Sequence, residues 1–191
     1  MTDLPIVRLK PKANARAIRH GFPWVYENEL VTDRRTRKLG AGSLAVLEDA
    51  ERRPMALVAV NPNSKIICRV LDRNTDASID QAWFEARFTK ALDMRSRLYD
   101  APFYRLVHAE ADGLPGVVID RFGDTVVVQP NAAWADRLIA PMTAALASVT
   151  GVQNILKNAS GRARVLEGLD KENAVLLGTA PAEPVPVAMN G

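Results

Sequence analysis

Among its 191 residues the chain has one cysteine, Cys68, and two histidines, His20 and His108. A single thiol excludes an intrachain disulfide, and a chain that folds without one suits a reducing, cytoplasmic compartment. One Cys and two His also fall short of the several thiolate and imidazole ligands that structural zinc takes. Long apolar runs are missing as well. The longest, residues 55–60, is six residues, against the ~20 needed to cross a bilayer, so no membrane span is expected. The first residues include Asp3 and only scattered apolar side chains, without the apolar block of a secretory signal. The only Gly-x-Gly, Gly40-Ala41-Gly42, precedes a strand candidate instead of following one. That order offers no strand–turn–helix cradle for a dinucleotide, a nucleotide phosphate or a methyl donor.

What is present is an ordinary globular composition, 48% hydrophobic and 25% charged, with 11 Gly and 12 Pro. At ~100 to 150 residues per domain this length makes one large or two small domains. The net charge of +3 is unevenly spread. Residues 1–75 carry 14 Lys and Arg against 8 Asp and Glu, net +6, whereas residues 76–191 carry 11 against 14, net −3. A positive face on one module suits phosphate binding, because each cation that neutralises a phosphate releases condensed counterions. A merely solubilising surface is the competing explanation.

Residues 1–75 read as a small β-rich module closed into a barrel-like sheet. Strand candidates are 6–9, 22–26, 43–47, 55–60 and 66–71. Asn14 caps a short helix through Arg16 and Arg19, with Gly21 at its end, and Arg34-Arg35-Thr36-Arg37-Lys38 is expected as a basic loop. Closure makes physical sense, since short strands with open edges invite pairing with other chains. Residues 76–191 read as a second, α+β domain, an antiparallel sheet with packed helices. Asp80 caps a helix whose stripe is Phe84, Phe88, Ala91, Leu92, Arg95 and Tyr99. Residues 117–120 and 125–129 flank a Gly-containing hairpin loop. A second helix runs from Trp134 to Val149 despite its interior Pro141, and further strands are expected at 152–157, 174–177 and 185–188.

Several chemistry-bearing residues have a simpler structural reading. Cys68 lies in an apolar, strand-like run and reads as a structural thiol rather than a nucleophile. His108 reads as a partly buried, hydrogen-bonded imidazole. Glu110, Asp112, Asp120 and Asp124 could divide acid and base roles, but beside Gly and Pro they are expected to stabilise turns. The positive signal is a basic set with interleaved aromatics: Lys10, Lys12, Arg16, Arg19, His20, Trp24, Lys65 and Arg69. RNA binders place such cations on phosphates and aromatic faces on unstacked bases. At least two of Phe22, Trp24 and Tyr26 are nevertheless expected in the core, so the cations carry the assignment.

The block Glu110-Ala111-Asp112-Gly113-Leu114-Pro115-Gly116-Val117-Val118-Ile119-Asp120-Arg121-Phe122-Gly123-Asp124 closely resembles the middle domain of a family of methyltransferases. These enzymes use S-adenosylmethionine to modify cytosine at carbon 5 in large-subunit (23S) ribosomal RNA. His20-Gly21-Phe22-Pro23-Trp24-Val25-Tyr26 and Asn61-Pro62-Asn63-Ser64-Lys65-Ile66, followed by Arg69, resemble the family's RNA-binding PUA domain, and Arg164-Val165-Leu166-Glu167-Gly168-Leu169 also fits. The resemblance implies a PUA domain at 1–75 and an α+β middle domain at 76–191. In the family a Rossmann-like methyltransferase domain with the cofactor site and catalytic cysteine follows, and the chain resembles the front half of such an enzyme. Val185-Pro186-Val187-Ala188-Met189-Asn190-Gly191 resembles the connection into that domain, with Met189 where Glu is usual.

The expectation is therefore an RNA-binding, substrate-positioning portion of a ribosomal RNA cytosine-C5 methyltransferase. No catalytic residue, metal or cofactor is assigned to this chain, and S-adenosylmethionine is implied only for the absent domain. The expected partner is RNA, ribosomal by the resemblance; a homodimer is compatible with the sequence. Two other readings stay open: a stand-alone RNA-binding or adaptor module without activity, and a hydrolase using Glu110 and Asp112.

Overall fold

The structure, a computed structural model, describes residues 4–187. The chain forms two compact units. One comprises the residues up to Ala77 together with Leu166–Gly168, the other Ser78–Val165 and the residues from Leu169 onward. The mixed α+β class expected from the sequence is what the chain adopts, with a curled sheet in the first unit and a helix-covered sheet in the second.

The first unit contains β1 (Ile6–Arg8), α1 (Ala15–Arg19), β2 (Trp24–Tyr26), α2 (Arg34–Arg37), β3 (Ser43–Glu48), β4 (Pro54–Val60) and β5 (Ile66–Asp72). Its five strands lie in the order β1-β3-β4-β5-β2, antiparallel except for β1 beside β3. The two edges meet just past β1 and β2. Leu9 bridges Leu30, Lys10 N–H donates to Glu29 O at 2.8 Å, and Val31 N–H donates to Arg8 O at 2.8 Å. The sheet thereby curls on itself, and the backbone groups its edges would expose are paired. Inside lie Val7, Leu9, Ile18, Val25, Leu30, Ala45, Leu47, Val58, Val60, Ile67 and Cys68. The apolar run noted at 55–60 is central strand β4, buried from Ala56 through Val60, which explains why it is continuous instead of alternating.

In α1, the Asn14 side chain accepts the Ala17 N–H at 3.0 Å, and Ile18 alone is buried. The basic loop expected at 34–38 is instead a helical turn, α2. The physical reason is its cap: Asp33 Oδ1 accepts both the Arg35 and Thr36 N–H at 2.9 Å, and the Thr36 hydroxyl donates to Val31 O at 3.2 Å. The bonds to Asp33, led by that from the Thr36 backbone N–H, hold its carboxyl below its ordinary range despite partial desolvation.

The second unit contains α3 (Gln81–Ser96), β6 (Phe103–His108), β7 (Val117–Phe122), β8 (Thr125–Pro130), α4 (Ala133–Arg137), α5 (Ile139–Thr150), β9 (Asn154–Lys157), α6 (Arg162–Leu166) and β10 (Ala174–Leu177). The sheet order is β10-β9-β8-β7-β6, antiparallel except for β8 beside β9. The Asp80 side chain caps α3 through the Trp83 N–H at 3.0 Å. Gly123, at φ +63°, supplies the left-handed residue in the two-residue β7–β8 turn. Gly116, at φ +82°, lies so close to Ala132 that a Cβ would sit 2.7 Å from that side chain.

Two expectations need correction. The helix expected across 134–149 is broken at Leu138 into α4 and α5. Pro141 then occupies the first turn of α5, where its missing N–H has no intrahelical partner to lose. No strand forms at 185–187, where Pro184 and Pro186 remove ladder donors; Ala188, the end of that expected strand, is outside the described residues.

Aromatic rings fill this unit's core. Phe84 stacks on Trp134 with centroids 6.1 Å apart and planes 4° apart, and Trp83 meets Trp134 edge-on at 6.3 Å. The Trp134 indole N–H donates to Pro115 O at 2.9 Å, so the ring is buried with its polar atom satisfied. Arg164 is fully buried beside α4 and β8. Its guanidinium reaches Pro130 O at 2.6 Å, Asp136 Oδ1 at 2.8 Å and Asp170 O at 2.8 Å, the pairing a buried charge requires.

Candidate nucleic-acid interface

The outer face of β2 is built by strand alternation. Val25 points inward and is fully buried opposite Cys68 on β5, so Trp24 and Tyr26 turn outward. Phe22, just before the strand, joins them. The three rings form a mutual cluster, with Phe22–Trp24 at 5.9 Å and Trp24–Tyr26 at 6.4 Å, both edge-on. Phe22 is 40% exposed, Tyr26 38%, and Trp24 intermediate. This corrects the expectation that at least two of the three belong to the core. The inward position was taken by Val25, and the cations on either side of 22–26 were the signal available for the outward reading.

Cations border this aromatic strip at both ends. At its start, α1 presents Arg16, Arg19 and His20, all exposed, and Phe22 N–H donates back to Ala17 O at 2.9 Å. At its finish, Glu27 N–H donates to Lys65 O at 3.0 Å, and Lys10 N–H donates to Glu29 O, so Lys65 and Lys10 flank the turn that follows β2. Lys10, Pro11, Lys12, Ala13, Asn28 and Glu29 line an open groove of about 550 Å³ there. Asn28 and Glu29 were not among the expected site residues.

Not every expected cation is equally available. Lys12, Arg16 and Lys65 are exposed and have no ion pair among the described residues. The Lys10 ammonium donates to Asn28 O at 3.0 Å. Arg19 pairs with Asp49, which also accepts the Arg53 Nε–H at 2.8 Å. Burial pushes the Asp49 carboxyl up, but hydrogen bonds from the Arg53 backbone and guanidinium and from Arg19 outweigh it and bring the carboxyl to about 2. Arg69 sits directly opposite Trp24 in the β2–β5 register. Its guanidinium donates to Glu167 Oε1 at 2.9 Å, and its side chain is 12% exposed. The same Glu167 carboxylate accepts the Ser64 hydroxyl at 3.0 Å and the Asn61 amide at 3.0 Å. The 61–64 turn is thus a socket for one buried carboxylate, and Arg69, on the strand beside Trp24, closes it.

The remaining chemistry-bearing residues are structurally committed. Cys68 is fully buried, and desolvation pushes its thiol far up from its ordinary range, away from the thiolate a nucleophile needs. Asp112 accepts both Arg95 guanidinium donors, at 2.9 and 2.7 Å, and the His108 N–H at 2.6 Å. Asp120 accepts the Arg105 Nε–H at 2.9 Å. Asp112 thus bonds a turn backbone N–H as expected, whereas Asp120 lies within β7 and pairs with Arg105 on β6 instead of stabilising a turn. His108, expected to be partly buried, is exposed.

Residues 7–73, which hold most of this curled five-stranded sheet, match the family model for a PUA-like domain. Along its length the chain is 30% identical to the ribosomal RNA large subunit methyltransferase I of Klebsiella pneumoniae, covering 100% of this chain and 48% of that protein. It is 31% identical to the same-named protein of Pseudoalteromonas translucida, over 92% of this chain and 45% of that one. Against a ribosomal RNA large subunit methyltransferase of Deinococcus radiodurans the identity is 35%, over 72% and 35%. The chain thus spans less than half the length of these relatives. Its fold is also that of a Streptococcus mutans protein assigned as a SAM-dependent methyltransferase, with TM-score 0.74, 16% identity, and coverage of 94% of this chain and 45% of the other. A further structure, of a protein assigned as a methyltransferase and solved with SAH, overlays with TM-score 0.71 at 17% identity, over 94% and 43%.

S-adenosylmethionine does not fit the residues described here. The β5–α3 and β8–α4 connections contain no glycine, that between β9 and α6 has only Gly161, and both sheets are mostly antiparallel. None is the glycine-rich strand-to-helix turn at which backbone N–H groups meet such a cofactor. No helix among the described residues is long and apolar enough to cross a membrane.

Proposed function

We propose that this chain is the RNA-holding part of a SAM-dependent ribosomal RNA methyltransferase that acts on cytosine at carbon 5. Residues 1–75 serve as its PUA domain and residues 76–191 as its middle domain, in a cytoplasmic enzyme. The methyl transfer itself belongs to a domain outside these residues. The observation that carries the reading is the outward aromatic strip Phe22, Trp24 and Tyr26 between two groups of cations. Hydrophobic rings exposed in a row are unfavourable on a monomer's surface unless something covers them. Unstacked bases fit both the rings and the flanking charge.

In the proposed contact, Lys10, Lys12, Arg16, Arg19 and Lys65 meet phosphates, while Trp24 and His20 meet bases or sugars. Arg69, on the strand beside Trp24 and paired with Glu167, adds less charge than its type suggests. About five phosphate contacts on single-stranded RNA correspond to a log–log salt slope of roughly −3.5. A filter-binding titration across salt concentrations checks this, and no RNA affinity at low salt would remove the proposal.

A further inference from the structure

Deepening that reading, and resting on it, we infer that α2 is a second phosphate-gripping surface that holds double-helical RNA flanking the unpaired nucleotides on β2. Arg34, Arg35, Arg37 and Lys38 place four cations within five residues, and all four side chains are exposed. None of them has an ion pair among the described residues. The contrast within the same unit is sharp: Arg8 pairs with Glu48, Arg19 and Arg53 with Asp49, and Arg69 with Glu167. The adjacent Asp33 carboxylate accepts the Arg35 and Thr36 N–H groups through Oδ1, and the Arg35 charge attracts it without closing an ion pair.

The turn is also pre-ordered. The Asp33 cap fixes its start, Thr36 is buried, and Leu39 packs on the barrel core. Gly42, at the end of the following connection, donates to Val60 O at 2.8 Å. The Thr36 hydroxyl lies 3.2 Å from Val31 O, and Val31 N–H donates to Arg8 O, so α2 is anchored beside the end of β1, while Gly42 leads the chain into β3. A basic turn held in one conformation loses little entropy on binding. The turn carries no aromatic ring of its own, unlike β2. Guanidinium groups without a stacking partner suit backbone phosphates, which position a nucleic acid without reading its sequence. RNA duplexes are recognised largely through such shape and phosphate contacts.

The test uses the full chain, a stem-loop RNA and a single-stranded RNA of the loop sequence, with affinity measured by fluorescence anisotropy across salt concentrations. The triple variant Arg34→Gln, Arg35→Gln, Arg37→Gln leaves Asp33, Thr36 and the barrel core untouched, and a thermal melt verifies its folding. The expected result is a salt slope on the stem-loop that flattens by about 2.7, from about 0.9 for each of the three lost duplex contacts. Affinity for it should drop about tenfold or more, while affinity for the single strand changes less than twofold. An unchanged slope on the stem-loop, with wild-type chain binding normally, overturns the role of α2 alone. Equal losses on both RNAs overturn the duplex assignment. Wild-type chain that binds neither RNA overturns this inference together with the proposed function.

Discussion

The two units use their aromatic residues in opposite ways. In the first, Phe22, Trp24 and Tyr26 alternate along one strand and face outward, touching each other at their edges. In the second, Trp83, Phe84, Phe88 and Trp134 come from two helices and are buried together, Phe84 stacking on Phe88 and Trp134 while Trp83 meets Phe84 and Trp134 edge-on. Ring chemistry is the same in both, so what separates them is the neighbour that takes the interior. On β2 that neighbour is Val25, which fits the narrow space inside a small curled sheet. On α3 the rings themselves take the inward positions, beside the small Ala91. An aromatic cluster is therefore core or platform according to what lies beside it, not according to its own hydrophobicity.

Substitutions can break this comparison. Phe84→Ala or Trp134→Ala should have the largest effect, a loss of about 3 to 5 kcal/mol of stability by denaturant unfolding, because each empties a large volume in a packed block. A loss under about 1 kcal/mol would mean that the second unit's rings are not core. Trp24→Ala should invert the pattern. Stability falls by only about 1 kcal/mol, the scale of a surface cross-strand contact, while affinity for single-stranded RNA drops by about 1 to 3 kcal/mol per stacked base. Unfolding of this variant with RNA affinity intact would make the strip a structural element.

A smaller effect sharpens how α1 is anchored beside the strip. The Asp49 carboxyl sits at about 2 against an ordinary 3.8, so its ionised form is favoured by folding. That stabilisation is fully present above pH ~4 and declines as pH falls toward 2. Asp49→Asn should therefore lower the melting temperature at pH 6, and the difference from wild type should narrow between pH 4 and pH 2. A difference that is constant across that range would show that the Arg19 and Arg53 pairs contribute no charge-dependent stability.

Much of this architecture was readable in the chain. Asn14 and Asp80 announced α1 and α3 because a capping side chain acts within three residues of itself. The turn residues around Gly123 marked the β7–β8 hairpin for the same local reason. The misreadings at α2 and Leu138 are also local in cause: a cap at Asp33 outweighed the loop-like composition of 34–38, and Pro141 moved to a position where proline is harmless. The candidate site was only half legible. Its residue types and basic setting were visible, but which cations are already paired was not.

Local rules thus determined where strands and helices run, that the front of the chain is basic, and that Cys68 sits in an apolar strand. Only the tertiary structure decided that Val25 faces inward and the three rings outward, that Arg69 meets Glu167, 98 positions away in sequence, and that the cations of α2 form no ion pair among the described residues. Side-chain direction on a curled sheet depends on which edges close, and ion pairing depends on contacts between distant segments. Neither is encoded in any short window of residues.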